Sequence, residues 1–175
     1  KSFGGSGYDY FAGIALDANS NVYATGRFVN KVSFDTISIS SNVNGHTVVL
    51  KLDRHGNFIW VKNFGGNMID IGRSIALDSA NNVYTTGYFS DSSDFDPGPS
   101  TYYMYGHWLA DIFVSKLDSN GNFIWARQFA QSNPTSNIGN HGNSIAVDKS
   151  GNAFLTGRFP GDLNIGQGPN NMLTT

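Results

Sequence analysis

The chain has 175 residues, which suits one ordinary domain, and its formal net charge of −2 excludes the strongly basic surface of a nucleic-acid-binding protein. It contains no cysteine, which excludes disulfide bridges and thiolate chemistry. Charged residues make up only 14 %, whereas glycine (21 residues) and aromatic residues (14 %) are plentiful, a balance typical of short strands and tight turns. No apolar run approaches the roughly 18 residues of a membrane-spanning helix.

Two sequence modules alternate along the chain. The first, Ile-Ala-Leu/Val-Asp followed by Asn-x-Tyr/Phe-x-Thr-Gly, occurs at Asp17, Asp78 and Asp148. The second, Lys-Leu-Asp-x-x-Gly-Asn-Phe-Ile-Trp, occurs at Asp53 and Asp118. Asp17 and Asp78 are 61 positions apart, Asp53 and Asp118 are 65 apart, and Asp78 and Asp148 are 70 apart. A near-fixed period of this length indicates a repeat architecture.

Each repeat predicts four strands, because its apolar stretches are short, rich in β-branched and aromatic residues, and free of a helical stripe. In the second repeat these strands are residues 75–78, 83–89, 112–117 and 122–129. The run Ile112-Phe113-Val114 is continuously apolar, which predicts burial on both faces of its sheet.

Five turns that begin with aspartate join these strands, at residues 17–21, 53–57, 78–82, 118–122 and 148–152. The opening aspartate can accept hydrogen bonds from N–H groups of its own turn. The fourth position predicts a positive φ, which glycine and asparagine tolerate best. We expect it at Gly56, Gly121, Gly151 and Asn81, and we expect Ser20, which occupies the same position, to be slightly strained.

Four short antiparallel strands per unit, repeated and buried on both faces, predict an all-β fold of β-propeller blades. The units resemble the bacterial SBBP repeats, whose pattern is Gly-x-x-Ile-Ala-x-Asp-x-x-Gly-Asn-x-Tyr-x-Thr-Gly followed by Lys-Leu-Asp-x-x-Gly-x-x-x-Trp. The stretch from Asp94 to Pro99 also resembles a segment found between the two halves of such repeats in surface and secreted proteins of Bacteroidetes-like bacteria. The resemblance extends over nearly the whole chain.

This register divides the chain into the tail of a preceding blade with a linker (1–12), blade 1 (13–66), blade 2 (67–130), and an insertion loop with the first half of blade 3 (131–175). We expect these roughly two and a half repeats to form an arc of a larger propeller. Because repeat units cannot bury their faces alone, we expect that the chain is not a free monomer. The breaks within a unit at Lys1 and Thr175 favour a longer chain, and association of copies is the alternative.

The resemblance implies a non-catalytic segment of an extracellular or cell-surface bacterial protein that acts as a protein-interaction or structural scaffold. Its partners would be other proteins or further blades of the same protein. No His-x-x-x-His spacing, Gly-x-Ser-x-Gly motif or phosphate-binding loop is present, so we expect no enzyme. Carbohydrate binding is the first alternative, and a propeller lyase or hydrolase is the second.

The candidate binding residues lie in the segment that makes the second repeat longer than the first. They are aromatic or imidazole side chains that can stack on a sugar or contact a partner protein, namely Tyr102, Tyr103, Tyr105, His107 and Trp108. A binding role predicts that one ring face of Trp108 is open to solvent or to a partner. The alternative is that these rings cover the outer edge of their own blade.

A metal site is considered only at the acidic cluster of Asp91, Asp94 and Asp96, whose carboxylates are suitable ligands for calcium. The alternative is that Asp-Pro-Gly-Pro forms a rigid turn. Each of the five aspartate-headed turns supplies one carboxylate, too few for a calcium loop. No other cofactor is expected.

Trp60 and Trp125 occupy the same position of successive repeats. Recurrence in register predicts that both are buried, in equivalent places between neighbouring sheets.

Overall fold

The computed structural model describes residues 3–35, 37–107, 109–131, 138–160 and 163–164. These residues form β-strands and turns, without a helix, which confirms the all-β prediction. The strands are β1 (Gly4–Gly5), β2 (Tyr10–Leu16), β3 (Val22–Phe28), β4 (Lys31–Phe34), β5 (Ile37–Ser40), β6 (His46–Leu52), β7 (Phe58–Gly66), β8 (Asp70–Leu77), β9 (Val83–Phe89), β10 (Ser92–Asp94), β11 (Tyr103–Tyr105), β12 (Asp111–Leu117), β13 (Phe123–Gln131), β14 (His141–Val147), β15 (Ala153–Arg158) and β16 (Leu163–Asn164).

Each complete repeat forms a four-stranded antiparallel blade. Blade 1 has the strand order β2-β3-β6-β7 and blade 2 the order β8-β9-β12-β13, while β14 and β15 begin blade 3. The first strands of successive blades are neighbours, with β8 in contact with both β2 and β14. The blades therefore follow one another along an arc, with their first strands on its inner side.

Strand ends depart from the sequence-based prediction where the apolar pattern is interrupted. Strand β8 begins at Asp70 rather than at Ile75, because a β-bulge between Gly72 and Ser74 lets the pairing continue through polar residues. Strand β2 likewise begins at Tyr10, before the predicted start of blade 1 at residue 13. The predicted burial of Ile112, Phe113 and Val114 on both sheet faces is confirmed.

Neighbouring blades pack face to face through a continuous apolar seam. In the seam between blades 1 and 2, Tyr23 and Val49 of blade 1 meet Ile75 and Phe113 of blade 2. The next seam repeats the arrangement with Tyr84 and Val114 of blade 2 against Ile145 of blade 3. Burial of such side chains is the dominant favourable contribution to folding, about 25 cal/mol for each Å² removed from water.

The segment between the second and third strands of each unit pairs with the preceding blade, which the sequence did not predict. Strand β4 pairs with β1, β10 pairs with β7, and β16 pairs with β13. We call each of these segments a clasp. In the second clasp, the ring of Phe95 lies 5.2 Å from that of Phe64 on blade 1 and 5.1 Å from that of Phe113 on blade 2. Phe34 stands in the same relation to Phe3, with ring centroids 5.2 Å apart.

Antiparallel order gives the arc two distinct faces. The aspartate-headed turns follow the first and third strands of each blade, so they share one face, the turn face. The clasps and the links between blades follow the second and fourth strands, so they share the opposite face, the connection face. Within the described residues, no helix has the length and apolar character that crossing a membrane requires.

Candidate functional site

On the turn face, five aspartates each hold their own turn through the same set of hydrogen bonds. In the first turn, the Asp17 carboxylate accepts hydrogen bonds from the backbone N–H groups of Asn19 and Asn21 and from the Asn21 side-chain amide, at 2.8–2.9 Å. The other four turns repeat this clamp, with Asn57, Asn82, Asn122 and Asn152 as the closing residues. An asparagine closes every copy of the turn, and this recurrence is the sequence signal for the clamp.

The hydrogen bonds of the turns favour the ionised carboxylate. At Asp53 the backbone N–H and the side-chain amide of Asn57 lower the pKa, and at Asp148 the side chain and backbone of Asn152 do the same. At Asp118 burial opposes the shift, but the hydrogen bonds from Asn122 outweigh it and the pKa is lowered. The turn aspartates are therefore occupied as caps, as the sequence predicted.

Lysine and tyrosine extend this clamp in blade 2. The Lys116 ammonium lies 3.2 Å from the Asp78 carboxylate and 4.6 Å from the centre of the Tyr84 ring. The Tyr84 hydroxyl donates to Asp78 at 3.3 Å, and a contact of the same length joins it to the carbonyl oxygen of Gly151 on blade 3. In blade 1, Lys51 instead donates to the carbonyl oxygen of Ser119 on blade 2. These groups join neighbouring blades at the turn face.

The two recurrent tryptophans lie in equivalent places but are only partly buried, which corrects the expectation of full burial. Trp60 packs edge-on against Tyr23 at 6.2 Å, and Trp125 against Tyr84 at 6.0 Å. The Trp60 indole N–H donates to the carbonyl oxygen of Ser119, at the turn of the next blade. The partly buried ring therefore lies at the rim of the seam between the two blades.

The aromatic segment divides into an anchored part and an exposed part. The Tyr102 hydroxyl donates to the carbonyl oxygen of Ala126 at 3.3 Å, and its ring lies 4.9 Å from that of Phe123. Tyr103 and Tyr105 are 53 % and 74 % exposed, with their rings nearly parallel and 6.5 Å apart. Both lie on β11, where alternation places them on one side while Met104 is buried on the other. Trp108, and the prediction made for its ring, lie outside the described residues.

His107, whose side chain is 42 % exposed, contacts a buried carboxylate. Its Nδ1 donates to the Asp111 carboxylate at 2.9 Å, and its backbone N–H donates to the same oxygen at 2.8 Å. Gln128 and Asn140 donate to Asp111 as well, at 2.9 and 3.0 Å. Asp111 is completely buried, so these donors take the place of water as hydrogen-bond partners of its carboxyl group.

A second buried carboxylate, Asp70, lies at the junction of blades 1 and 2. It accepts hydrogen bonds from the Ser93 hydroxyl of the clasp at 2.5 Å and from the Gly66 backbone N–H at 2.8 Å. Burial raises the pKa of Asp70 to about 7, although both hydrogen bonds act in the opposite direction. Asp9 and Asn140 occupy the same place at the neighbouring junctions, 61 residues before and 70 residues after Asp70. This spacing was the sequence signal that would have revealed the site.

The acidic cluster considered for calcium is spread along its loop. Asp94 accepts hydrogen bonds from the backbone N–H groups of Asp96 and Tyr102, and Asp96 accepts one from Gly98. Asp91 is an exposed residue with φ of 60°. Within the described ranges, no three His, Asp or Glu side chains are arranged to hold a metal ion. Calcium at Asp91, Asp94 and Asp96 remains a prediction without support from this arrangement.

Comparison with known proteins agrees with the fold. Residues 59–96 and 124–158 match the model of the family described as SBBP: Beta-propeller repeat. The chain is also similar to an uncharacterized WD repeat-containing protein of Acanthamoeba polyphaga mimivirus, with 26 % identity over 162 residues. The similarity covers 83 % of this chain but 11 % of that relative, so the chain spans a small part of its length. Since this relative is viral, the bacterial origin implied by the resemblance remains a prediction.

Proposed function

We propose that this propeller segment is a non-catalytic scaffold for protein interactions, within a secreted or cell-surface protein. The proposal rests on the observation that its aspartate and histidine side chains form hydrogen bonds that stabilise the fold. The turn aspartates close turns, Asp70 joins a clasp to a blade, and Asp111 holds His107 and Asn140. Groups committed to such hydrogen bonds stabilise the blades and leave the surface to bind partners. The WD repeat-containing relative and the repeat-family match support a scaffold role.

A comparison of two surface variants tests the scaffold proposal. The protein is immobilised, and the proteins that it captures are quantified by mass spectrometry. Three forms are compared: the wild type, a connection-face variant that combines Val43→Ser with Tyr105→Ala, and a turn-face variant that combines His55→Ala with Asn120→Ala. All four side chains in the design, Val43, Tyr105, His55 and Asn120, are exposed. We expect one defined partner that binds the turn-face variant but not the connection-face variant. A hydrolase or lyase turnover that disappears in Asp111→Asn would contradict the proposal.

Carbohydrate binding is the second candidate, and the pair Tyr103 and Tyr105 favours it. Two exposed, nearly parallel rings on an outer strand offer an apolar surface on which a sugar ring can stack. Binding of the protein to an array of neutral and acidic oligosaccharides tests this function as a whole. Retention of defined oligosaccharides supports it, and an array without specific signal contradicts it.

A further inference from the structure

A cleft of about 430 Å³ opens on the connection face between blade 1 and the second clasp. This volume lies in the range of roughly 300–1,000 Å³ that small-molecule sites occupy. Its walls come from the segment before β6, from the link between β7 and β8, and from the clasp strands β10 and β11. Its lining includes the polar and aromatic side chains of Ser40, Ser41, Asn42, His46, Asn67, Ser92 and Tyr103.

Among the described residues, the lining of the cleft carries hydrogen-bonding groups but no acidic or basic side chain other than one imidazole. His46 contacts the carbonyl oxygen of Gly66 through Nε2 at 3.2 Å and the side-chain amide of Asn63 through Nδ1 at 3.4 Å. An Nε2–H donor and an Nδ1 acceptor satisfy both contacts, which corresponds to the neutral imidazole. Burial lowers the pKa of His46, so the ring stays neutral at neutral pH. The cleft therefore suits an uncharged polar ligand.

Some of the lining groups are committed to the fold, and others are available to a ligand. Asn42 is committed, because its amide donates to the Gly66 carbonyl oxygen at 2.6 Å while its own oxygen accepts from the Asn44 backbone. By contrast, the side chains of Asn67 and Ser92 make no hydrogen bond within the described part of the chain. An amide and a hydroxyl can both donate and accept, which matches the hydroxyl groups of a sugar.

Tyr103 gives the cleft an aromatic wall. Its ring lies nearly parallel to that of Tyr105, with the ring centres 6.5 Å apart, and it is 53 % exposed. An exposed ring beside hydroxyl and amide groups that make no hydrogen bond within the described residues is an arrangement that can bind both the apolar face and the polar edge of a sugar.

The cleft arises where the repeats differ from one another. His46 occupies the place that Asp111 takes in blade 2, and Gly65 and Gly66 occupy the places of Ala130 and Gln131. At Gly66 a side chain would collide with the carbonyl oxygen of Ser92, because an added Cβ would lie 1.8 Å from it. The close approach of β10 to β7 beside the cleft thus depends on glycine at residue 66.

We propose that this cleft is a binding site for a neutral saccharide, with Tyr103 as the stacking surface and Asn67 and Ser92 as hydrogen-bonding groups. The proposal rests on the second candidate function and adds the site and the class of sugar. A free carboxylate on the sugar would find no cationic side chain among the described lining residues, so acidic saccharides should bind more weakly.

Titration calorimetry with maltotriose, cellotriose, chitotriose and mannotriose, and with sialyllactose as the acidic probe, tests the proposal. We expect at least one neutral trisaccharide to bind, and we expect Tyr103→Ala to weaken its binding roughly tenfold or more, a change of about 1.4 kcal/mol. Asn67→Ala should weaken it as well, whereas Tyr103→Phe should retain most of it. Tyr8→Ala is the control, because Tyr8 is also an exposed tyrosine, at 73 %, and lies outside the cleft. Thermal unfolding of each variant verifies its fold.

The outcomes separate the site from the function. Neutral binding that Tyr103→Ala and Asn67→Ala weaken and Tyr8→Ala leaves unchanged supports the cleft. Binding of any saccharide that is unaffected by both cleft variants overturns the cleft but retains carbohydrate binding elsewhere. Preferred binding of sialyllactose overturns the neutral-saccharide assignment. Absence of binding by every probe overturns the cleft, and a blank array contradicts the function itself.

Discussion

Ser20 adopts a backbone conformation that usually requires glycine. Its φ is 64°, and the residues in the same turn position have φ of 79° at Gly56, 81° at Gly121, 83° at Gly151 and 60° at Asn81. The positive φ predicted at all four of those positions is confirmed. For a residue with a Cβ, this left-handed conformation is roughly 1–2 kcal/mol less stable than the right-handed helical conformation. The turn retains its shape at Ser20 because the Asp17 clamp is complete.

Replacement of this serine tests the strain directly. Ser20→Gly should raise the free energy of unfolding by about 1 kcal/mol, because glycine adopts positive φ without a steric penalty. Chemical denaturation measures the change. Ala18→Gly in the same turn is the control, since residue 18 does not have positive φ and the added chain entropy should destabilise the fold slightly. A lower stability of Ser20→Gly than of the wild type would contradict this account.

Asp70 makes stability depend on pH in an unusual direction for a carboxyl group. Its folded pKa of about 7 lies above the ordinary value of 3.8, so the folded state binds more protons than the unfolded state between these two values. Its contribution is fully present below pH 3.8 and is lost as the pH rises through about 7. Asp70→Asn removes this dependence, and Asn140 shows that asparagine fits the equivalent place.

We therefore expect the stability of Asp70→Asn relative to the wild type to increase from pH 4 to pH 7 and then to level off, as measured by urea unfolding at each pH. Asp118→Asn is the control of opposite sign, because the folded pKa of Asp118 is lowered. That variant should lose stability at neutral pH, and the loss should shrink as the pH falls below 3.8. A pH-independent difference for Asp70→Asn would show that the buried carboxyl is ionised throughout.

At the scale of elements, the clasps connect each blade to the one before it. The second clasp adds β10 and β11 to the sheet of blade 1, giving the order β11-β10-β7-β6-β3-β2. Phe95, which follows β10 directly, packs among Phe64, Phe89 and Phe113 from both blades. The clasp therefore contributes both backbone pairing and a buried ring to the junction.

Truncation of the Phe95 ring tests how much the clasp contributes to the free energy of unfolding. Phe95→Ala should lower the free energy of unfolding by about 3–5 kcal/mol, the usual cost of removing a buried phenylalanine ring. Tyr105→Ala, in the same clasp but on its exposed side, should change it by no more than about 0.5 kcal/mol. Both values come from thermal or denaturant unfolding. Equal effects of the two substitutions would argue against the clasp as a stabilising element.

The sequence predicted the features that local residues determine and missed those that depend on distant partners. The turns follow from an aspartate and a glycine or asparagine a few residues apart, and the blade strands from their own apolar runs. Strand β10 has only the polar residues Ser92, Ser93 and Asp94, and it pairs with residues 27 to 29 positions earlier in the chain. No local sequence pattern indicates pairing between residues so far apart. The cleft could not be predicted either, because its lining residues Tyr103 and Gly66 meet only in the folded arc.

At the scale of the whole molecule, the two end faces of the arc differ from the seams within it. Ile14 is 70 % exposed, whereas its counterparts Ile75 and Ile145 are each 6 % exposed and pack against the preceding blade. At the other end, Phe154 is 38 % exposed, whereas Tyr23 is fully buried against the following blade. The same positions are thus buried wherever a neighbouring blade is present, so both end faces are suited to further blades.

The molar mass of the folded species, measured by sedimentation equilibrium, tests the propeller arc most directly. The expected result is that the 18.9 kDa chain on its own does not form a stable monomer that unfolds cooperatively. It should instead associate with further copies, or fold stably only beside additional blades that cover Ile14 and Phe154, and it is this folded form whose unfolding and ligand binding the variants above compare. A monomer of 18.9 kDa that is stable, unfolds in a single cooperative transition and binds no partner would contradict the account.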